Sequence, residues 1–388
     1  MKTPSSFRHL SHLDGLRALA AMFVVLHHAF LEINSSSFPP AGAGKYFLDI
    51  FLFGHYAVDF FIVLSGFCLM LPAIKEKGHI RGGVLNFFRK RAWRILPPYY
   101  LAMGLSLLLI RFFVGNKTGT HWDVSLPVTG KSILTHLFLV QDVFREDTTI
   151  NHAFWSIAVE WRIYFLFPLL LLAWRYLGAI GTTGLTVIFS YFVFHFCSKF
   201  IGASLSAQYL GLFAMGMLGA AISFPPPDGT DRLKRLPWGR ITLISGLIMV
   251  VLSQAKIWHG GITPIYLTDY VVGWWSTSLI IAVSGNTHPK ISGALRWKPL
   301  VFTGTFAYSI YLIHAPLLQV LWQYLLVPFQ NRPLLMFAAL SFIGMPLILI
   351  LSYLFFLVCE RPFLRRKEKI KVTESLSTKA MFKFDTIS

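Results

Sequence analysis

"DGLRALAAMFVVLHHAF", residues 14–30, has the length and oiliness of a membrane helix, yet it carries Asp14, Arg17 and the pair His27–His28. An arginine inside a span costs about 2.5–3.5 kcal/mol on insertion scales, so such residues usually face protein or a polar cavity rather than lipid. Arg17 and His28 are eleven positions apart. At about 100° per residue that is three turns plus roughly 20°, with about 16 Å of rise. They therefore share a helix face, and His27 points about 100° away. Two alternatives stand beside each other here. Arg17 snorkels to the surface and His28 satisfies a backbone carbonyl, or both face one functional cavity.

The rest of the chain decides that this is a membrane protein. It has 388 residues, of which 55% are hydrophobic and 13% charged, and a mean hydropathy of +0.60. A soluble domain has about 25% charged residues. Spans of about 20 apolar residues are expected near 13–31, 48–71, 95–114, 153–174, 178–198, 204–224, 239–255, 265–284, 300–325 and 334–359. The expected fold is an all-α, polytopic integral membrane bundle of about ten transmembrane helices, with no cleavable signal peptide. "SILTHLFLV", in the long connection 115–152, is too short to span and reads as an interfacial or re-entrant segment. Residues 1–365 form the transmembrane domain, and 366–388 a basic, then polar, disordered cytoplasmic tail. Cys68, Cys197 and Cys359 lie in apolar runs without CxxC spacing, so neither a disulfide framework nor a metal site is expected.

The net charge of +18 does not point to nucleic acid, because the basic residues lie in short loops. With a cytoplasmic N-terminus, 25 of the 35 Lys and Arg residues fall on the cytoplasmic side and eight on the other. Arg17 and Arg162 lie within spans. That asymmetry predicts both termini in the cytoplasm and a multi-pass cell-membrane location.

Other spans repeat the opening anomaly. In "GHYAVDFFIVLSGF", His55 and Asp59 are four apart on one face, within hydrogen-bonding reach. An Asp that orients a His is also the logic of an activated base, and a plain structural pair serves as well. Ser65 and Gly66 allow close approach of a helix or ligand. In "NHAFWSIAVEWRIYFLFPLL", Glu160 and Arg162 point roughly 200° apart and need partners from other helices. Arg17 or His28 is a candidate for Glu160, and Asp59 or a lipid head group for Arg162. "FFRKRAWRILPPYY" places Arg91 and Arg94 on one face, suited to phosphate oxygens or to anionic lipid. In "FAYSIYLIHAPLL", Tyr308, Tyr311 and His314 lie in one span, the last two on one face.

These segments together resemble the acyltransferase 3 family of membrane-embedded O-acyltransferases. The resemblance rests on Arg17-x10-His28, "VDFFIVLSGF", "FFRKRAWRILPPYYLA", "WSIAVEWRIYFLFPLLL", "AYSIYLIHAPLL" and the closing "ERPF", in the family's order over about residues 10–365. It implies transfer of an acyl group, often acetyl, from acyl-CoA to a hydroxyl of a glycan, lipopolysaccharide or exopolysaccharide, or in some members to a small natural product. It also implies His28 as catalytic histidine with Arg17, Arg91 and Arg94 as the Arg-x-x-Arg pair on the donor, and Glu160 as a buried acid. Asp14, His55, Asp59, Ser65, Tyr308, Tyr311 and His314 then stand as surrounding or substrate-facing residues. Acyl-CoA is expected as donor substrate, with no permanently bound cofactor and no metal. Expected partners are the donor, a sugar or glycolipid acceptor and the bilayer. One departure is "VEWRIYF", where Trp161-Arg162 replaces the second acidic or polar residue the family more often shows, altering the pocket beside Glu160. Some family members carry an extra hydrolase-like C-terminal domain, for which only a short tail remains here. The residues alone also admit a proton-coupled transporter or flippase of an anionic substrate, and, less economically, a non-catalytic scaffold.

Overall fold

The computed structural model describes residues 10–34, 48–144, 149–197, 205–224, 231–259, 265–285 and 288–364. The disordered tail expected at 366–388 lies outside them. The described residues form helices and turns, with no strand among them. The first half of the chain supplies α1 (Ser11–Ile33), α2 (His55–Lys75), α3 (Val84–Leu109), the short α4 (Gly130–Leu137) and α5 (Trp155–Phe192). The second half adds α6 (Gln208–Ser223), α7 (Trp238–His259), α8 (Ile265–Ser284), the short α9 (Pro289–Leu295) and α10 (Lys298–Gly304). It closes with α11 (Ala307–Leu321), α12 (Pro333–Ala339) and α13 (Met345–Phe355).

Helix occupies each of the ten stretches expected to span. Among the described residues, six candidate spans are long and apolar enough to cross a membrane, at 11–33, 49–75, 84–114, 155–196, 307–329 and 333–364, while α6 and residues 238–254 of α7 are shorter apolar helices. The fourth of these covers two expected spans. The break falls at Gly178, where φ is +68°; glycine adopts that conformation without a Cβ penalty, and it redirects the chain.

The bundle has a buried centre and a lipid-like rim. α1, α2, α3, α5, α6 and α11 share the main apolar core, in which Val63, Phe67, Tyr99, Phe213 and Leu312 are fully buried. The second half of α5, α7 and α13 turn apolar side chains outward; Leu243 of α7, for example, is 76% exposed. Without a hydrophobic drive between helices, close backbone approach decides packing in membranes. The crossing of α2 and α6 shows it. A Cβ added to Gly216 would lie 1.9 Å from the Val63 carbonyl oxygen, and one added to Gly66 would lie 2.1 Å from that of Phe213.

The expected interfacial segment is the two-turn helix α4. Thr129 and Ser132 cap it reciprocally, the Ser132 N–H donating to the Thr129 hydroxyl and the Thr129 N–H to Ser132 Oγ, both at 3.0 Å. Tyr99 and Tyr100 of α3 donate to the carbonyls of His136 and Leu137 at 3.0 and 2.7 Å. Leu134 and Phe138 remain exposed. The segment therefore lies on the bundle, pinned by its own carbonyls.

Candidate active site

A cavity of about 530 Å³ opens among α1, α2, α3, α5 and α11. Its walls carry Arg17, Arg91 and Arg94, opposed by Asp14, Glu160 and Glu360. The Arg-x-x-Arg spacing puts both α3 arginines on this wall, as the helical face requires. Arg17 pairs with Asp14 one turn earlier, and its Nη2 donates to Cys68 Sγ at 3.1 Å. The Arg91 guanidinium lies over the rings of Phe87 and Tyr164, at 5.8 and 5.7 Å from their centroids, an arrangement worth more when desolvated. Tyr164 donates to Glu160 Oε1 at 2.5 Å and lies 3.1 Å from Ser65 Oγ, so acid, phenol and serine form one chain along the wall. Glu360, from the "ERPF" stretch, is buried and accepts from Ser309 Oγ at 2.5 Å.

His28 is not part of this lining. Arg17 and His28 were expected to share a cavity because they share a helix face; the roughly 16 Å of axial rise between them instead places them on two levels. Tyr311 links the levels. It lines the cavity, exchanges a 2.6 Å hydrogen bond with Ser156, and has its ring 5.8 Å from that of His314. The His314 ring lies 5.0 Å from His28.

His28 is the centre of a histidine cluster. The rings of His27, His121, His152 and His314 lie 4.7, 6.2, 4.5 and 5.0 Å from it. His152 Nε2 is 3.0 Å from His28 Nδ1. His27 is occupied elsewhere: its Nδ1 donates to the Phe51 carbonyl at 2.5 Å, fixing α1 to the turn before α2. His314 Nδ1 donates to the carbonyls of Tyr311 and Ile310 at 2.8 and 3.1 Å, and its Nε2 is buried without a hydrogen-bond partner. Burial holds the His121 imidazole below its ordinary pKa. One turn beyond His28, Glu32 is buried and its Oε2 has no hydrogen-bond partner.

Three pairings expected from the sequence are replaced. Arg162 meets Asp142 rather than Asp59; it forks both oxygens of Asp142 and donates to the Leu139 carbonyl at 3.2 Å. It thereby anchors the α4 segment, and it is not among the residues that line the cavity. Glu160 meets Tyr164, rather than Arg17 or His28, because Tyr164 is one turn along its own helix. His55 and Asp59 do not hydrogen-bond. His55 Nε2 lies 3.7 Å from Asp269 of α8, and both sit away from the cavity. Of the other expected residues, Asp14, Ser65, Tyr308 and Tyr311 line the cavity, and His314 joins the histidines.

Two groups among the described residues have the spacing to hold a metal ion. They are His28–His121–His152 and His55–Asp59–Asp269, with ligand atoms within 4.8 Å of one another in each. His152 was within reach of sequence reasoning, three residues before Trp155 in a quoted motif; His121 and Asp269 carry no local signal.

The chain is 24% identical over 340 residues to YrhL of Bacillus subtilis, provisionally named a peptidoglycan O-acetyltransferase, covering 80% of this chain and 49% of YrhL. It is 22% identical over 342 residues to the O-acetyltransferase OatA of Staphylococcus aureus, covering 80% and 51% respectively. With the acyltransferase MdmB of Streptomyces mycarofaciens it shares 24% over 339 residues, 80% and 79% of the two chains. The chain thus spans about half the length of the first two relatives. No solved structure matches it at a significant level. An acyltransferase-domain family model matches residues 10–357, and the chain belongs to the acyltransferase 3 family.

Proposed function

We propose that this chain is a membrane-embedded O-acyltransferase that moves an acyl group, acetyl in the first instance, from acyl-CoA to a hydroxyl of a cell-surface glycan. The observation that carries the reading is the sequence of sites: an arginine-lined cavity, then Tyr311, then the His28–His152 pair. The donor's phosphates bind Arg91 and Arg94, whose planar forks suit bidentate contact, and Arg17, on the same cavity wall, holds the donor. His28 Nδ1–H donates to His152 Nε2, which leaves His28 Nε2 as the base. It takes the acceptor hydroxyl's proton as that oxygen attacks the thioester carbonyl, and returns it to the departing thiolate. Relay of the acyl group on His28 Nε2 requires the same neutral imidazole. The names of YrhL and OatA support acetyl transfer, and that of YrhL supports peptidoglycan as the acceptor.

The chain crosses the membrane ten times with both termini in the cytoplasm, as the basic-residue asymmetry supports. Reporter fusions at Lys77 and Gly115, at the two ends of the third span, then fall in the cytoplasm and outside. Finding both on one side overturns the topology. The function is tested by glycan O-acetylation, read by mass spectrometry, in cells with and without the chain, and by transfer from labelled acetyl-CoA in proteoliposomes. Label that moves across the bilayer without covalent attachment to a glycan would mark a transporter instead.

A further inference from the structure

His28, His121 and His152 come from three separate segments: α1, the single turn His121–Ser125 and the residues just before α5. They therefore leave no metal-ligand spacing in the sequence. In space their ligand nitrogens lie within 4.8 Å of one another. His28 Nδ1 and His152 Nε2 face each other at 3.0 Å, and the His121 ring lies 4.7 Å from that of His152.

A hydrogen bond places one proton between two facing imidazole nitrogens, whereas a metal ion takes the lone pairs of both and of a third. Tetrahedral zinc at about 2.0–2.1 Å from each nitrogen holds its ligand nitrogens roughly 3.3–3.4 Å apart. The facing pair is already close to that spacing, and His121, a half-buried side chain, closes the rest by rotation. His314 points to the same ligand independently. Its Nδ1 donates to the carbonyls of Tyr311 and Ile310, which leaves the lone pair on Nε2. That nitrogen is fully buried without a hydrogen-bond partner, in a ring 5.0 Å from His28. Metal-ligating histidines are commonly set in this way, with the other ring nitrogen bonded to a backbone carbonyl. Three imidazoles with a fourth beside them suit zinc and neighbouring transition metals, whereas magnesium and calcium take oxygen ligands.

We infer that His28, His121 and His152 form a transition-metal site, with zinc as its probe, whose occupation switches acyl transfer off. A neutral imidazole carries one proton. With His28 Nδ1 on the metal that proton sits on Nε2, and the atom assigned as base accepts no other. In the ten-span topology the connection that carries His121 lies outside the cell, so metal reaches the site from that side. The switch rests on the reading of His28 as base; the metal site does not.

The test uses the full chain in nanodiscs, stripped with chelator and then given micromolar zinc. Mass spectrometry is expected to count about one zinc per chain, kept in Asp59→Asn and lost in His121→Ala. Size-exclusion profiles identify variants that fail to fold. X-ray absorption on the unsubstituted protein needs no variant, and is expected to show at least three imidazole neighbours. Transfer from labelled acetyl-CoA is read for each protein with chelator and with zinc, so that every variant is its own reference. Zinc should lower it about 10²-fold or more in the unsubstituted chain, as loss of a general base does, and should not lower it in His121→Ala. No zinc bound, fewer than three imidazoles around it, or zinc bound with transfer undiminished overturns the proposal. Zinc kept by His121→Ala and lost by Asp59→Asn also overturns it, by moving the metal to another group. Transfer that proceeds with no zinc bound removes the site and leaves the acyl-transfer reading standing. Zinc held by three imidazoles in a chain that transfers nothing under chelator keeps the site, and the switch falls with the acyl-transfer reading.

Discussion

His152 Nε2 and His28 Nδ1 lie 3.0 Å apart, across 124 residues of sequence. One of the two nitrogens must carry the proton, and only the arrangement with His28 as donor leaves its Nε2 free to act as base. His28→Ala is expected to lower transfer about 10²–10⁴-fold. His152→Ala removes the acceptor that stabilises a forming imidazolium, worth about 1.5–3 kcal/mol, or roughly ten- to a hundredfold in kcat. His27→Ala should cost much less in rate and act through stability, because His27 is spent on the Phe51 carbonyl. Rates of all three at matched membrane levels decide this; an inactive His27→Ala with an active His28→Ala reverses the assignment.

Donor recognition is expected to reside in Arg91 and Arg94. Each lost charge-assisted contact costs about 1.5–3 kcal/mol, so Arg91→Ala and Arg94→Ala should each raise the KM for acyl-CoA roughly ten- to a hundredfold. Arg91→Lys keeps the charge but loses the planar fork over Tyr164, and should be impaired as well. Unchanged donor affinity in the double alanine variant would reduce the pair to a determinant of orientation.

Arg162 and Asp142 give a contrasting expectation. Their forked contact ties α5 to the α4 segment, outside the cavity. The pair is only half-buried, so removing one partner costs less than the roughly 3–5 kcal/mol of a fully buried pair, whereas replacing both with apolar residues is often neutral. Arg162→Ala should therefore lower the melting temperature without raising the donor KM. Arg162→Met combined with Asp142→Leu should recover most of the loss. A melting temperature unmoved by Arg162→Ala would show the contact to be dispensable.

The α2–α6 crossing is expected to reject a single methyl group. Gly216→Ala places a Cβ 1.9 Å from the Val63 carbonyl, and overpacking of this kind costs about 1–3 kcal/mol or more. Gly104→Ala, with nothing within 4 Å of the added atom, should be neutral or favourable by up to about 1 kcal/mol, since alanine is the better helix former. Thermal unfolding of the two variants side by side checks this; equal melting temperatures would refute the close crossing.

The sequence made legible what repeats along one helix. The common face of Arg91 and Arg94, that of Tyr311 and His314, and a break between the spans expected at 153–174 and 178–198 all follow from spacing and residue type. It was silent on pairs assembled from distant segments. Asp142 lies in a connection with no strong periodicity, so nothing local marked it as the partner of Arg162. His55 and Asp59 have the spacing of a helical pair, but helix geometry makes a contact available without making it. Asp269, 210 residues beyond Asp59, has nothing near it in sequence to suggest either neighbour. The split between Arg17 and His28 is of the same kind: angular position was right, and the level at which other helices close around each residue was not readable from α1.

The glycine crossing bears on how the protein is made. α2 leaves the ribosome about 140 residues ahead of Gly216, and its neighbour α8 comes later still. During that interval Asp59 waits in or beside the bilayer without the helices that will bury it. A lone aspartate at the middle of a span costs about 2.5–3.5 kcal/mol. The span containing α2 has a mean hydropathy of 2.2, against 1.5–1.7 for four of the other five candidate spans. That surplus of oily residues allows α2 to insert on its own and hold its place until the second half of the chain arrives.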